Sequence, residues 1–132
     1  MLSDFMPRKI VKTDSAPKPG GPYSQGIVAG SFVYVAGQDG RDPVTGKRAS
    51  GVKAQTKQTL QNIGAILTQA GTGLQNVVKV SVFLNDINDF EAMNSVYEKF
   101  FPKNPPVRTT IQTTFRGDML VEIDAVAVLP ER

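Results

Sequence analysis

The stretch from Val52 to Ala70 constrains the fold most, because only one kind of secondary structure fits its pattern. Small and apolar residues recur there at spacings of three and four, the period of an amphipathic helix with one buried face. This stripe consists of Thr56, Leu60, Ile63, Leu67 and Ala70. Ser50 is a candidate cap before the helix, and Gly71 is a candidate stop after it. A helix with such a stripe needs another element to cover it, so the rest of the chain must supply a surface.

Segments with the pattern of strands surround that helix. IVAGSFVYVAG has two apolar runs on either side of Gly30-Ser31, which predicts a hairpin. NVVKVSVFLND returns to alternation, with Val78, Val80 and Val82 on one face. A second helix is predicted from Asn88 to the breaker PKNPP. Its buried stripe is Phe90, Met93, Tyr97 and Phe100.

The order of elements is therefore β-β-α-β-α-β-β, and RKIVKT is a candidate for an additional N-terminal strand. This order predicts an α+β fold, with a mixed, mostly antiparallel β-sheet and two helices packed on one face. The 132 residues are expected to form a single domain over positions 1–132. The other face of the sheet also carries apolar residues, so an oligomer is the simplest way to cover it.

Composition excludes several kinds of chemistry. The chain has no Cys and no His, so it cannot form a Cys-His or Ser-His-Asp catalytic site or an ordinary zinc site. Acid-base work must fall to Glu, Asp, Tyr, Lys or a bound water. The net charge of +3 is scattered, which argues against nucleic acid as the main ligand. No membrane-length apolar run or secretory signal is present, so we expect a cytoplasmic protein without a membrane partner.

The most informative polar residues lie between Pro105 and Val128. The segment reads as two strands joined at Arg116-Gly117-Asp118, and a hairpin pairing Thr113 with Gly117 would place Arg108 directly opposite Glu122. One interpretation is an ordinary cross-strand ion pair on a solvated face. The other is a small site, in which the arginine binds a carboxylate and the glutamate directs a water.

Four further positions are candidates for the same site. Thr109 and Thr110 would add hydroxyl and backbone N–H groups beside the arginine. Asn94 lies near the apolar stripe of the second helix, where it is either a ligand contact or an amide at the helix edge. Tyr23 follows Pro22 in the stiff segment GGPYSQG, where a tyrosine serves either as a packing lid or as a pocket residue.

Taken together and in order, these motifs resemble the Rid/YjgF family of small trimeric proteins, the reactive-intermediate imine and enamine deaminases. The resemblance covers nearly the whole chain. It includes GPYSQG at 21–26, VYVAGQ at 33–38, DPVTG at 42–46, PPVRTTI at 105–111 and VEIDAVA at 121–127. It implies a homotrimer like the small chorismate mutases, with ligand pockets between neighbouring subunits.

The resemblance also implies roles for individual residues. Arg108 matches the carboxylate-binding arginine, and Glu122 matches the glutamate that holds or activates water. Tyr23 and Asn94 match pocket residues, and Gly37 matches the glycine after the second strand. The implied reaction is hydrolytic deamination of acids such as 2-aminoacrylate and 2-aminocrotonate to 2-keto acids and ammonia. It implies no metal and no organic cofactor.

Two positions depart from the deaminase branch of the family. That branch usually has Ser where this chain has Ala36, and often has Cys where this chain has Thr110. The carboxylate clamp is intact while the rim of the pocket is changed, so substrate choice is the property affected. Two other functions therefore stay open, a non-catalytic or regulatory protein that binds small carboxylates and, with less support, a ribonuclease or translation inhibitor.

Overall fold

The computed structural model describes residues 7–130, which form one six-stranded sheet with two α-helices. The strands are β1 (Lys9–Val11), β2 (Gly26–Ala29), β3 (Phe32–Gln38), β4 (Val77–Leu84), β5 (Val107–Gln112) and β6 (Val121–Val128), and the helices are α1 (Val52–Ala70) and α2 (Phe90–Phe100). Short 3₁₀ turns at Leu74–Asn76 and Ile87–Asp89 precede β4 and α2. The strand order is β1-β2-β3-β6-β4-β5. The predicted α+β fold with a mixed, mostly antiparallel sheet is confirmed.

Helix α1 has the predicted bounds, and its stripe forms the centre of the core. The stripe residues Thr56, Leu60, Ile63 and Leu67 are buried, and Ala70 packs at the margin of the core. The helix ends at Gly71, whose φ of 92° is a left-handed conformation that glycine adopts without strain. The predicted cap is wrong, because Gly51 and not Ser50 occupies the N-cap position and no side chain caps the helix.

Strand β4 differs from its predicted pattern at its first residues. Its pairing with β6 shifts between Val77 and Lys79, so one residue is inserted there as a bulge. Val77, Val80 and Val82 consequently face the helices and are buried, whereas Val78 is 40% exposed. The expectation that Val78 shares a face with Val80 is therefore wrong.

The predicted hairpin between β5 and β6 is also wrong. Strand β4 lies between them, antiparallel to β6 and parallel to β5. The physical reason is the connection through α2, because two parallel strands need a crossover and a helix supplies it. Arg108 pairs with Val80 and Glu122 pairs with Phe83. Since residues three apart on a strand point to opposite faces, Arg108 faces the helices and Glu122 faces away from them.

The face of the sheet away from the helices, here called the open face, is rich in apolar side chains. Its exposed members are Ile10, Phe32, Tyr34, Val107 and Ile111. An apolar surface that spans a sheet in this way is typical of a protein-protein contact. Neither helix of the described residues is long and apolar enough to cross a membrane.

Candidate functional site

The first of two polar clusters, here called the arginine cradle, is built from β5 and α2. Arg108 donates from Nη1 to Oδ1 of Asn94 at 2.7 Å. Its guanidinium carbon lies 4.7 Å from the centroid of the Tyr97 ring and 5.5 Å from that of Phe90. These contacts fix the guanidinium against aromatic faces, an arrangement that favours a cation. Among the described residues, the guanidinium of Arg108 donates this one bond, to Asn94, so its other donors are available to a ligand.

The sequence builds this cradle through helical spacing. Phe90, Asn94 and Tyr97 are four and three residues apart, so they lie on one face of α2. That face lies against the side of β5 that carries Arg108. Asn94 is partly buried, and its amide oxygen accepts a hydrogen bond from Arg108, a contact that neither sequence interpretation included. Asn94 instead orients the arginine.

Two hydroxyl groups of the cradle are buried without a partner among the described residues. They are the phenol of Tyr97 and Oγ1 of Thr110. Burial raises the pKa of Tyr97, and the charge of Arg108 opposes that shift, so the phenol stays protonated. Thr110 lies on the same face of β5 as Arg108, two residues further along. Unpaired buried hydroxyls are rare in proteins, and here they border a cation with free donors.

The second cluster, here called the glutamate pocket, forms where β3 is irregular. Val35 pairs with Ala125 and Gln38 pairs with Ile123, so β3 contains one residue more than β6 over this interval. The extra residue is a β-bulge at Ala36-Gly37, a feature that often re-aims side chains next to a functional site. The carboxylate of Glu122 rests on Gly37, and a Cβ at position 37 would lie 2.8 Å from its Cδ. Only glycine allows this approach.

A pocket of about 130 Å³ opens beside Glu122. Its polar lining residues are Lys18, Tyr23, Gln25, Gln38, Asp39, Arg41 and Glu122. The hydroxyl of Tyr23 accepts a hydrogen bond from the N–H of Gly20 at 3.1 Å, and Tyr23 is 53% exposed. Buried Gln25 bonds the backbone of Thr13 and Pro17, which fixes the segment that forms one wall.

The environment of Glu122 favours its protonated form. Burial raises the pKa of its carboxyl, and the nearby charges of Asp39 and Asp124 raise it further. A carboxyl group with a raised pKa is a stronger base when it is ionised, so its carboxylate form can accept a proton from water and its acid form can return that proton.

The structure places the predicted site residues in two groups rather than one. Arg108, Asn94 and Thr110 belong to the arginine cradle, whereas Tyr23, Ala36, Gly37 and Glu122 belong to the glutamate pocket or its bulge. Thr109 joins neither group, because it is exposed on the open face. Within one chain, strand β4 and the thickness of the sheet separate Arg108 from Glu122.

Sequence reasoning missed several residues around these clusters. Phe90 and Tyr97 were predicted only as core, although an asparagine between them on the same stripe was the available signal. Asp39 and Arg41 were predicted only as loop, and their alternating charge next to Gly37 was the signal there. No group of three or more Asp or Glu residues within the described part of the chain could hold a metal ion.

Comparison with solved structures shows that this fold is that of a known class of proteins. E. coli TdcF with bound serine has 37% sequence identity, covers 92% of this chain and 99% of its own, and superimposes with a TM-score of 0.88. The family model described as Endoribonuclease L-PSP matches residues 13–129. The chain therefore belongs to this family, the Rid/YjgF proteins.

Relatives in the same family carry two kinds of name. A RutC family protein of Pyrococcus abyssi is 46% identical over 124 residues, which cover 92% of this chain and 98% of the relative. A human protein named 2-iminobutanoate/2-iminopropanoate deaminase is 42% identical over 124 residues, covering 92% of this chain and 90% of the relative. Both matches extend over nearly the full length of each partner.

Proposed function

We propose that this protein hydrolyses reactive 2-imino acids and their enamine forms, of the 2-aminoacrylate and 2-aminocrotonate type, to 2-keto acids and ammonia. The observation that carries the proposal is the pair of complementary clusters: a fixed guanidinium with free donors, and a half-buried carboxylate whose pKa is raised. The similarity to the human imine deaminase supports the same reaction.

Arg108 binds the substrate carboxylate. A guanidinium offers parallel N–H donors that match the two oxygens of a carboxylate, and its contacts with Tyr97 and Asn94 hold it in one orientation before the substrate arrives. Fixing the carboxylate places C2 of the substrate at a defined position. Positioning contributes much of the rate because the imine is already electrophilic.

Glu122 directs the water. Its carboxylate accepts a proton from the water as the oxygen bonds to C2, and it passes that proton to nitrogen, which takes the electrons of the C=N bond. In the resulting carbinolamine, Glu122 is ionised again and accepts the proton of the hydroxyl group. It gives this proton to nitrogen as the C–N bond breaks, so ammonia departs and the C–O bond becomes the carbonyl of the 2-keto acid. This sequence requires neither a metal nor an organic cofactor.

The two clusters work together between subunits of a homotrimer. One chain cannot bring Arg108 to Glu122, since they lie on opposite faces of its sheet. A second copy packed on the apolar open face and beside edge strand β5 would bring its glutamate pocket toward the arginine cradle. The same contact would cover the exposed residues Val107 and Ile111.

The rim residues adjust which substrate fits. Ala36 lies at the bulge beside Gly37, which lines the pocket. Thr110 contributes a buried hydroxyl without a partner beside the arginine. Tyr23 at the pocket mouth acts as a lid over the bound acid. Together they favour a small acid with a short side chain.

The direct test generates the imine during the assay, because the imine decays in water. A pyridoxal-phosphate dehydratase acting on serine or threonine generates the substrate, and semicarbazide competes for it. The protein is expected to lower semicarbazone formation while 2-keto acid and ammonia still accumulate. The same amount of heat-denatured protein is the control, and equal semicarbazone yields with native and denatured protein would contradict the proposal.

A non-catalytic carboxylate-binding protein is the second candidate. The serine bound to the related TdcF favours it, because that ligand is a small amino acid with a carboxylate. Binding of 2-ketobutyrate that depends on Arg108, together with no acceleration of imine hydrolysis, would select this function. Because the family model is described as an endoribonuclease, RNA cleavage is measured in the same preparations.

Replacing Gly37 by alanine is expected to reduce imine hydrolysis by roughly tenfold or more, because the added methyl group displaces the Glu122 carboxylate. The end of a glutamate side chain moves at little cost, so the melting temperature should change little. Gly64→Ala is the matched control, since its methyl group would lie at an ordinary 3.5 Å from Leu74. Equal activity of the two variants would show that the carboxylate need not lie on Gly37.

A further inference from the structure

Arg48 connects two of the segments that form the glutamate pocket. It donates from Nε to Oδ2 of Asp39 at 2.8 Å and from Nη1 to Oδ1 of Asp118 at 2.8 Å. Asp39 follows β3, and Asp118 belongs to the turn before β6. The Arg48 side chain is 17% exposed and that of Asp39 is 12% exposed, so this pair is shielded from solvent. One guanidinium therefore ties the end of β3 to the approach to Glu122.

Two buried amides of α1 fix the same segments. Gln55 donates to the carbonyls of Ala49 and Asp118 at 3.0 and 2.9 Å, and its oxygen accepts from the N–H of Leu120 at 2.8 Å. Asn62 donates to the carbonyls of Asp39 and Arg41 at 3.1 and 2.8 Å. A buried amide with its bonds satisfied holds its partners in one arrangement. The backbone around Asp39 is thus held by the helix, while its carboxylate is held by Arg48.

Asp39 lies in the same pocket as Glu122, so its charge acts on the water-directing group. Arg48 contacts Asp39 at 2.8 Å, whereas Arg41 is 3.7 Å away, so Arg48 is the principal partner of Asp39. Strand β4 presents uncharged Phe83 to Glu122. The charged and titratable groups that face Glu122 in the pocket or along its strand are Lys18, Tyr23, Asp39, Arg41 and Asp124.

We propose that Arg48 is a positioning residue for imine hydrolysis and that it acts on Glu122 through Asp39. This inference rests on the proposed function, because it assigns Glu122 the task of moving a proton. With Arg48 in place, the negative charge of Asp39 is largely balanced and its carboxylate is held to one side of the pocket. Without Arg48, an unbalanced anion remains beside Glu122.

The pH dependence of kcat/KM tests this assignment. An unbalanced Asp39 disfavours ionised Glu122, so Arg48→Gln is expected to move the acidic limb of the profile to higher pH. On that limb the loss should be roughly three- to tenfold, with a smaller loss on the plateau. Lys57→Gln removes the same charge from an exposed position on α1 and should leave the profile unchanged. Equal profiles for Arg48→Gln and Lys57→Gln would overturn the proposal.

A double variant separates an electrostatic role from a structural one. Asp39→Asn alone should move the acidic limb to lower pH, because a negative charge beside Glu122 is gone. In the Asp39→Asn background, Arg48→Gln should then leave the acidic limb of the profile where it is. Arg48→Lys retains the charge and should recover part of the wild-type profile. If Arg48→Gln moves the acidic limb to higher pH as far in the Asp39→Asn background as it does in the wild-type background, the proposal that Arg48 acts through Asp39 is overturned.

A measurement without turnover keeps this inference distinct from the proposed function. The carboxyl carbon of Glu122 is followed by NMR during a pH titration of wild-type protein and Arg48→Gln. A titration midpoint of Glu122 at higher pH in the variant supports the action of Arg48 on Glu122, and an unchanged midpoint overturns it. If the titration moves while wild-type protein hydrolyses no imine, the proposed function fails and the link from Arg48 to Glu122 stands.

Discussion

Replacing Arg108 by alanine is expected to remove nearly all acceleration of imine hydrolysis, with kcat/KM falling by on the order of 100-fold or more. Alanine deletes the donors that hold the substrate carboxylate, so C2 is no longer fixed relative to the water. The cradle formed by Phe90, Asn94 and Tyr97 would remain, but it carries no cation. The loss of carboxylate binding should raise KM, and the loss of a fixed position for C2 relative to the water should lower kcat.

Two further arginine variants distinguish this role from a general effect of charge. Arg116→Ala removes an exposed arginine from the turn before β6 and is expected to retain full activity. Arg108→Lys keeps the charge but loses the planar fork of donors, so it should recover only part of the activity. Arg108→Ala also loses the contact between the guanidinium and the Tyr97 ring, which should lower the free energy of unfolding by about 1 kcal/mol. Thermal unfolding measures this loss. Equal rates for Arg108→Ala and Arg116→Ala would contradict the carboxylate clamp.

The helices and the hairpin of β2 with β3 could be predicted from the sequence, whereas the pairing of β4, β5 and β6 could not. Helical periodicity is local, so the stripe of α1 was sufficient to place Val52–Ala70. Pairing depends on distant segments, and the turn signal at Arg116-Gly117-Asp118 suggested a hairpin where the chain instead inserts β4. The parallel pairing of β4 with β5 follows from α2 acting as a crossover, a relation that a pattern within one strand does not contain.

The candidate site shows the same division. Arg108 and Asn94 could be identified because each is polar where an apolar residue is expected, and the structure joins them by a hydrogen bond. The connections of Arg48 could not be predicted, because its partners are 9 and 70 residues away in the sequence. Their contact depends on how β3, β6 and α1 are arranged. Nothing in the local sequence of Arg48 distinguishes it from an exposed arginine.

Replacing Glu122 by glutamine is expected to lower kcat by roughly 10²- to 10⁴-fold, because an amide cannot accept the proton of the attacking water. Glutamine has nearly the same shape, so the pocket should stay intact. The raised pKa of Glu122 means that its ionised form costs stability in the folded protein at pH values above that pKa. At neutral pH the variant should therefore be as stable as wild type or slightly more stable, and thermal unfolding would check this.

These two inactive variants together test whether each site is shared between chains. Arg108→Ala and Glu122→Gln, mixed in equal amounts and reassembled after reversible unfolding, are expected to recover about a quarter of wild-type activity. In a randomly assembled trimer, half of the arginine cradles and half of the glutamate pockets are intact, and one site in about four combines two intact halves. If both residues served the same site from a single chain, every site would lack one of them.

The composition of the hybrids must be established for the result to decide the question. Native mass spectrometry of differently tagged variants would confirm that mixed trimers form, and each variant reassembled alone supplies the background. Recovery of activity only in the mixed sample would show that Arg108 and Glu122 act from different subunits. Inactive mixed trimers would contradict a shared site. Arg108 and Glu122 would then not serve one site, because β4 and the sheet itself separate them within a single chain.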